Sequence, residues 1–88
     1  MPIISYFFGI IIKMYFNDHY PPHFHAEYQG RDGRFAIADG ACLEGNLPSK
    51  AVKMISEWAI CHRSELTRNW DLAQANHPLE RIPGADND

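Results

Sequence analysis

Three of the five histidines in this chain lie within seven residues, in the run Asp18–Glu27. His23 and His25 are two positions apart, and such residues project from the same face of a β-strand, about 6.5–7 Å apart. We expect both rings to project into solvent beside the stiff turn at Pro21-Pro22. Two imidazoles placed in this way can converge on a metal ion, a phosphate or a scissile bond.

Three interpretations of this run are open. In the first, it holds a divalent metal ion such as Zn, Fe, Mn or Ni, because imidazole and carboxylate groups both ligate these ions. The candidate ligands are His19, His23, His25, Asp18 and Glu27. In the second, His23 and His25 perform metal-free acid–base chemistry on RNA, since imidazole titrates near neutral pH. In the third, the histidines only pack around a rigid turn, and Asp18 caps backbone amides.

A second group of residues recurs at helical spacing and comprises Trp58, His62 and Trp70, with Arg63 next to His62. In a functional interpretation, His62 or Arg63 joins the histidine face, and Arg63 neutralises a phosphate through its planar guanidinium group. In a structural interpretation, the two tryptophans anchor helices to a sheet. The candidate catalytic residues are therefore His23, His25, His62 and Arg63.

The first half of the chain predicts an antiparallel β-meander. Runs rich in β-branched and aromatic residues indicate strands, and clusters of Gly, Asn, Asp and Pro separate them. Within one run, Ile10, Ile12 and Met14 should share a face. The predicted strands are Ile3–Phe8, Ile10–Phe16, His23–Gln29, Phe35–Ala38 and Ala41–Glu44, with a hairpin loop at Gly30–Gly33.

The second half predicts helices, with Ser49 as a candidate N-cap. Two helices bent near His62–Ser64 are favoured over one long helix, because a small sheet needs more than one helix to cover a face. The predicted fold class is α+β. A small antiparallel β-meander of three to five strands (residues 3–46) precedes a helical region (residues 49–76) packed on one face of the sheet. Residues 1–88 are expected to form a single domain, with residues 77–88 as a frayed tail.

Composition limits the class of protein. The 88 residues carry 8 Lys+Arg against 11 Asp+Glu, and 45% are hydrophobic, as in one soluble globular domain. The formal charge of −3 argues against general coating of nucleic acid. Cys42 and Cys61 are too few for a disulfide framework, and no apolar run is long enough for a membrane span. We expect a cytoplasmic protein in which both thiols are free and Cys61 is buried.

The chain resembles a bacterial family of small domains of unknown function. The resemblance is carried by Asp18–Ala26, which reads Asp-His-Tyr-Pro-Pro-His-Phe-His-Ala, and by Ile4–Tyr15 and Leu43–Pro48 on either side of it. A further signature in the helical region includes His62-Arg63 and Asn69-Trp70. Tyr20 stands where the family often has proline. The family has no established activity, so the resemblance assigns no catalytic role.

Members of that family are commonly encoded beside a second small domain, in a pair described as a toxin–antitoxin module. The resemblance therefore implies a small, antitoxin-like protein partner; a homo-oligomer is the other expectation. We expect a toxin-like protein that cleaves RNA through its histidine cluster, with Arg63 or Lys50 supplying positive charge. The alternative is a non-enzymatic module that binds a metal or a partner chain, its exposed sheet edge pairing with another strand.

Overall fold

In a computed structural model, which describes residues 2–86, five strands form one antiparallel sheet in the order of the chain. Two helices follow the strands. The elements are β1 (Ile3–Phe7), β2 (Ile10–Lys13), β3 (His23–Tyr28), β4 (Arg31–Ala36), β5 (Cys42–Gly45), α1 (Ser49–Cys61) and α2 (Arg63–Gln74). The predicted α+β class, a meander followed by C-terminal helices, is confirmed.

Aromatic side chains join the helices to one face of the sheet. Ile10 and Ile12 of β2 are both buried on this face, as their alternation predicts. Phe24 of β3 stacks on Phe35 of β4, with ring centroids 5.5 Å apart. Trp58 of α1 meets Phe24 edge-to-face at 5.8 Å. This apolar packing holds the sheet that carries the histidines of β3.

The turn between β3 and β4 is shorter than predicted. Gln29 and Gly30 form it, with φ values of 50° and 78°, and positive φ at both positions is typical of a two-residue hairpin turn. Strand β4 therefore begins at Arg31, and Gly33 lies inside it rather than in a loop. A side chain at Gly33 would place Cβ 3.0 Å from Leu47 Cδ1 and 3.1 Å from the Glu44 carbonyl oxygen, so the close approach of β5 favours glycine there.

The helical region is divided at His62, as predicted for the stretch His62–Ser64. Two smaller predictions are wrong. Pro48 rather than Ser49 occupies the N-cap position of α1, because Ser49 is already helical. Cys61 is exposed, because it lies on the solvent side of α1; both cysteines are free. Between residues 2 and 86, neither helix has the length and apolarity needed to cross a bilayer.

The C-terminal segment is packed against the sheet, where we predicted a frayed tail over residues 77–88. Ile82 is buried, and its amide donates a hydrogen bond of 2.8 Å to the Ile4 carbonyl oxygen. The Ser5 hydroxyl in turn donates to the Ile82 carbonyl oxygen at 2.8 Å. These contacts tie the C-terminal segment to β1. The sequence pattern does not reveal them, because Ile82 bonds through its main-chain atoms, which every residue has. Residues 87–88 lie outside the described part of the chain.

Candidate metal centre

Asp18 lies in the turn between β2 and β3, which α2 holds in place. The Asn17 amide donates to the Ala73 carbonyl oxygen at 3.2 Å, and the Gln74 side chain donates to the Asp18 carbonyl oxygen at 2.9 Å. The His19 amide donates to Asp18 Oδ1 at 2.9 Å. With its main chain and one oxygen fixed in this way, Asp18 presents its second oxygen, Oδ2, to the histidines of β3.

His23 is the first residue of β3 and is only 2% exposed. Its Nδ1 lies 2.7 Å from the Pro21 carbonyl oxygen, and its Nε2 lies 2.9 Å from Asp18 Oδ2. Trp70 of α2 packs on the ring, with centroids 5.4 Å apart. The prediction that this ring projects into solvent is wrong, because α2 covers the start of β3. Both ring nitrogens therefore face an oxygen atom of the protein.

His25 shares the strand face of His23, as the spacing predicts. The two ring centroids are 5.1 Å apart, and His25 Nε2 lies 3.3 Å from Asp18 Oδ2. Tyr15 meets the His25 ring edge-to-face at 4.5 Å. The His25 side chain is 28% exposed, so it connects the buried part of the cluster to solvent.

Asp18, His23 and His25 together form what we call the metal centre. Each residue offers one ligand atom, and these three atoms all lie within 4.8 Å of one another. Two imidazoles and one carboxylate make a donor set that suits zinc, iron, manganese or nickel. These three side chains therefore converge as candidate ligands of one cation.

Burial and hydrogen bonding set the protonation states in the centre. Burial by itself would raise the pKa of the Asp18 carboxyl, but the His19 amide and the contacts with His25 and His23 outweigh it, and the pKa is lowered. Burial is the largest influence on His25 and lowers the pKa of its ring, against the contact with Asp18, which raises it. An ionised carboxylate and a neutral imidazole are the forms that ligate a metal ion.

The two other predicted ligands lie at the border of the centre. The His19 side chain is 73% exposed, and its Nδ1 lies 3.1 Å from Asp18 Oδ1, the oxygen that does not face the other histidines. Glu27 continues the strand face of His25, but its Oε1 accepts a hydrogen bond of 2.6 Å from Lys13 Nζ. Neither residue belongs to the three-residue cluster.

His62 and Arg63 lie apart from the centre. His62 Nδ1 contacts Glu65 Oε1 at 2.7 Å, and its ring packs on Trp58 with centroids 5.4 Å apart. Arg63 lines a separate cavity of about 340 Å³ beside Trp70. The structure brings neither residue to the histidines of β3.

A cavity of about 250 Å³ opens beside His25, with Lys13 and Arg34 in its lining. Strand register pairs Lys13 with His25, and His25 with Arg34. These three side chains form a row across β2, β3 and β4, which we call the outer row. Sequence reasoning assigned positive charge to Arg63 or Lys50 and missed this row, because only the register of three strands reveals it.

Comparison with protein families gives a match over most of the chain. The family model described as Domain of unknown function (DUF4160) matches residues 9–71. The chain belongs to that family. The match includes the metal centre and the outer row, and it agrees with the resemblance to a family of small domains of unknown function. No curated protein and no solved structure matches the chain significantly.

Proposed function

We propose that this protein binds one divalent transition-metal ion through Asp18, His23 and His25. The observation that carries the proposal is the contact of 2.9 Å between His23 Nε2 and Asp18 Oδ2. When the His23 ring is neutral and Nδ1 carries its hydrogen, both of these atoms are acceptors with free lone pairs.

The tautomer of His23 follows from its other nitrogen. A carbonyl oxygen only accepts hydrogen bonds, so the Nδ1 atom facing Pro21 carries a hydrogen. A neutral ring then turns the lone pair of Nε2 toward the Asp18 carboxylate, and positive charge must lie between these two acceptors. Either a second proton on the buried ring or a cation supplies it, and the third converging atom, His25 Nε2, favours the cation.

The same arrangement is common among metal-ligating histidines. One ring nitrogen donates to a carbonyl oxygen, which fixes the ring so that the other nitrogen ligates the ion. With bond lengths of about 2.0–2.2 Å, neighbouring ligand atoms lie roughly 3.0 Å apart in an octahedral site and roughly 3.4 Å apart in a tetrahedral one. Asp18 Oδ2 lies 2.9 Å and 3.3 Å from the two Nε2 atoms, so these two separations match those between neighbouring ligands of one ion.

The proposal extends to an activity: the protein is a toxin-like member of a two-gene module and cleaves RNA at this centre. A divalent ion supplies Lewis-acid chemistry to phosphodiester hydrolysis. The support from this chain is the outer row, where Lys13 and Arg34 stand on either side of His25 and can hold a phosphate. Three protein ligands also leave coordination positions for a substrate.

The second candidate is a non-enzymatic module that binds a partner chain. One observation favours it: all four residues of β5, Cys42–Gly45, are exposed at the edge of the sheet. Such an edge can accept a strand from another protein. Under this proposal the metal centre stabilises the domain and performs no reaction.

Calorimetric titration of chelator-treated protein tests the metal site. We expect the wild type to bind one zinc or manganese ion per chain, and Asp18→Asn to weaken binding by at least roughly 100-fold, because the shared carboxylate is lost. The matched control is His77→Gln, an exposed histidine outside the centre. A wild type that binds no ion, or an Asp18→Asn variant that binds as tightly, contradicts the proposal.

Induced expression in a bacterial host tests the activity. The wild type should arrest growth and deplete cellular RNA, and His25→Gln should relieve the arrest while accumulating to the same level. His62→Gln should remain toxic, since His62 lies outside the centre. A harmless wild type, or equal toxicity of His25→Gln, contradicts RNA cleavage at this site and favours the partner-binding module.

A further inference from the structure

The outer row carries two cations, Lys13 and Arg34, and each of them contacts one carboxylate. Arg34 donates from one terminal nitrogen to Glu44 Oε1 at 3.0 Å. Its Nε is buried and has no hydrogen-bond partner among the residues described. A buried donor without a partner is rare in folded proteins and calls for an explanation.

Arg34 and Arg68 each contact a carboxylate, but they do so with different numbers of hydrogen bonds. Arg68 holds Glu80 with two hydrogen bonds, from Nε at 2.9 Å and from a terminal nitrogen at 3.1 Å. Arg34 makes only the second of these two contacts with its carboxylate. A guanidinium group can bind a carboxylate or phosphate with two parallel hydrogen bonds. Arg68 makes both of them on the surface, whereas Arg34 makes only one in the cavity.

The second cation of the row, Lys13, remains charged. The hydrogen bond from its ammonium group to Glu27 raises the pKa of Lys13. Because Lys13 and Arg34 are the strand neighbours of His25 on its two sides, a group bound by either cation also lies near the metal centre.

The remaining charges of the cavity limit what can bind. Three carboxylates line it together with the two cations: Glu27, Asp32 and Glu44. The carboxylates repel a second phosphate in the cavity, but they accept hydrogen bonds from the hydroxyl groups of a sugar that carries a single phosphate. The volume of about 250 Å³ is that of a small group, below the roughly 300–1,000 Å³ of pockets for drug-sized ligands.

We propose that this cavity is a subsite for one ribose phosphate unit of RNA, with the phosphate on Arg34 and Lys13 and the ribose hydroxyls on the carboxylate rim. The inference rests on the proposed function, because it names the part of the RNA that the site binds. The 2′-hydroxyl is the group by which proteins distinguish RNA from DNA. The subsite therefore prefers ribose to deoxyribose.

The test is an NMR titration of the full chain, in separate samples with zinc and with chelator. The probes are ribose 5-phosphate, 2-deoxyribose 5-phosphate, unphosphorylated ribose and inorganic phosphate. We expect ribose 5-phosphate to shift the amide signals of Lys13, His25 and Arg34, and to bind more tightly than each of the other three probes. Arg34→Gln should weaken its binding by roughly tenfold or more, because a charge-assisted hydrogen bond is lost.

The control variant is Arg31→Gln, on the same strand but exposed at its start, and it should bind like the wild type. Arg34→Lys provides a second reading if Arg34→Gln disturbs the fold: it keeps the charge, loses the fork and should bind with intermediate affinity. Equal affinity for the ribose and deoxyribose probes overturns the subsite, as does wild-type affinity in both Arg34 variants.

The outcome is independent of the metal proposal. If zinc binds but ribose 5-phosphate does not, the subsite is wrong and the metal centre stands. If ribose 5-phosphate binds through Arg34 and zinc does not bind in the sample that contains it, the metal centre is wrong and the subsite stands.

Discussion

Two of the contacts between a histidine and a carboxylate in this molecule have nearly the same length. His23 Nε2 lies 2.9 Å from Asp18, and His62 Nδ1 lies 2.7 Å from Glu65. The first joins the start of β3 to a turn, whereas the second joins two residues three positions apart in the helical region. The His23 side chain is 1% exposed and the His62 side chain 22%.

The difference shows that distance alone does not identify a site. A local pair at the surface forms wherever spacing allows, and such pairs contribute little to stability. The pair at His23 has a second imidazole, His25, on the same oxygen, and its carboxylate is fixed by contacts from α2. Convergence of side chains from separate elements, in a buried place, is what separates the metal centre from the surface pair.

The largest expected contrast is in stability. His23→Gln removes a buried ring with two hydrogen bonds and its packing on Trp70, and should lower the free energy of unfolding by about 2–4 kcal/mol. His62→Gln should lower it by less than about 1 kcal/mol, because a partly exposed pair is screened by water. Urea denaturation with chelator present measures both values. Similar losses in the two variants would remove the distinction between the regions.

Metal binding gives the next contrast. An ion at 100 times its Kd should stabilise the wild type by about 2.7 kcal/mol, which corresponds to a rise in Tm of roughly 10–20 °C for a domain of this size. Glu65→Gln should keep the full rise, while His25→Gln should lose most of it. Thermal unfolding with and without zinc measures the rise. A rise that depends on Glu65 and not on His25 contradicts the account.

The smallest effect is in the pH dependence of the metal-free protein. Burial lowers the pKa of His25 below its ordinary value of 6.5. Between that lowered pKa and pH 6.5 the unfolded chain holds a proton that the folded chain lacks, so stability should fall as the pH falls through this window. His25→Gln should flatten the profile there, whereas His77→Gln should not. A wild-type profile that rises toward acid in this window contradicts the direction of the shift.

Asp18 acts in the same direction at lower pH. The pKa of its carboxyl is lowered from the ordinary 3.8, so its contribution to stability is present above that pH and is lost as the pH falls further. Asp18→Asn should reduce the loss of stability in this acid range. The pH dependence of urea midpoints measures both windows in one series.

Part of the site follows from sequence alone. The two-residue period of a strand places His23 and His25 on one face, and the same rule places Ile10 and Ile12 in the core. Asp18 precedes the diproline turn and lies five positions before His23, the first residue of β3, so their contact is local in the sequence. These are local relations, which sequence patterns describe well.

The rest depends on relations between distant elements. His23 is buried because Trp70, far along the chain, packs on it. The register of β2 with β3 places Glu27 near Lys13. The register of β3 with β4, which the two-residue turn at Gln29-Gly30 sets, places Arg34 beside His25. The loop predicted over Gly30–Gly33 implies a different register between β3 and β4. The sequence prediction therefore does not pair His25 with Arg34 and misses the outer row.

A crystal structure of the protein grown with zinc, with anomalous scattering recorded at the zinc edge, tests the central claim most directly. The account predicts an anomalous peak about 2.0–2.2 Å from one Asp18 oxygen and from the Nε2 atoms of His23 and His25. At saturating zinc, the absence of a peak there, with His23 still hydrogen-bonded to Asp18, would show that the cluster is only a buried hydrogen-bond network.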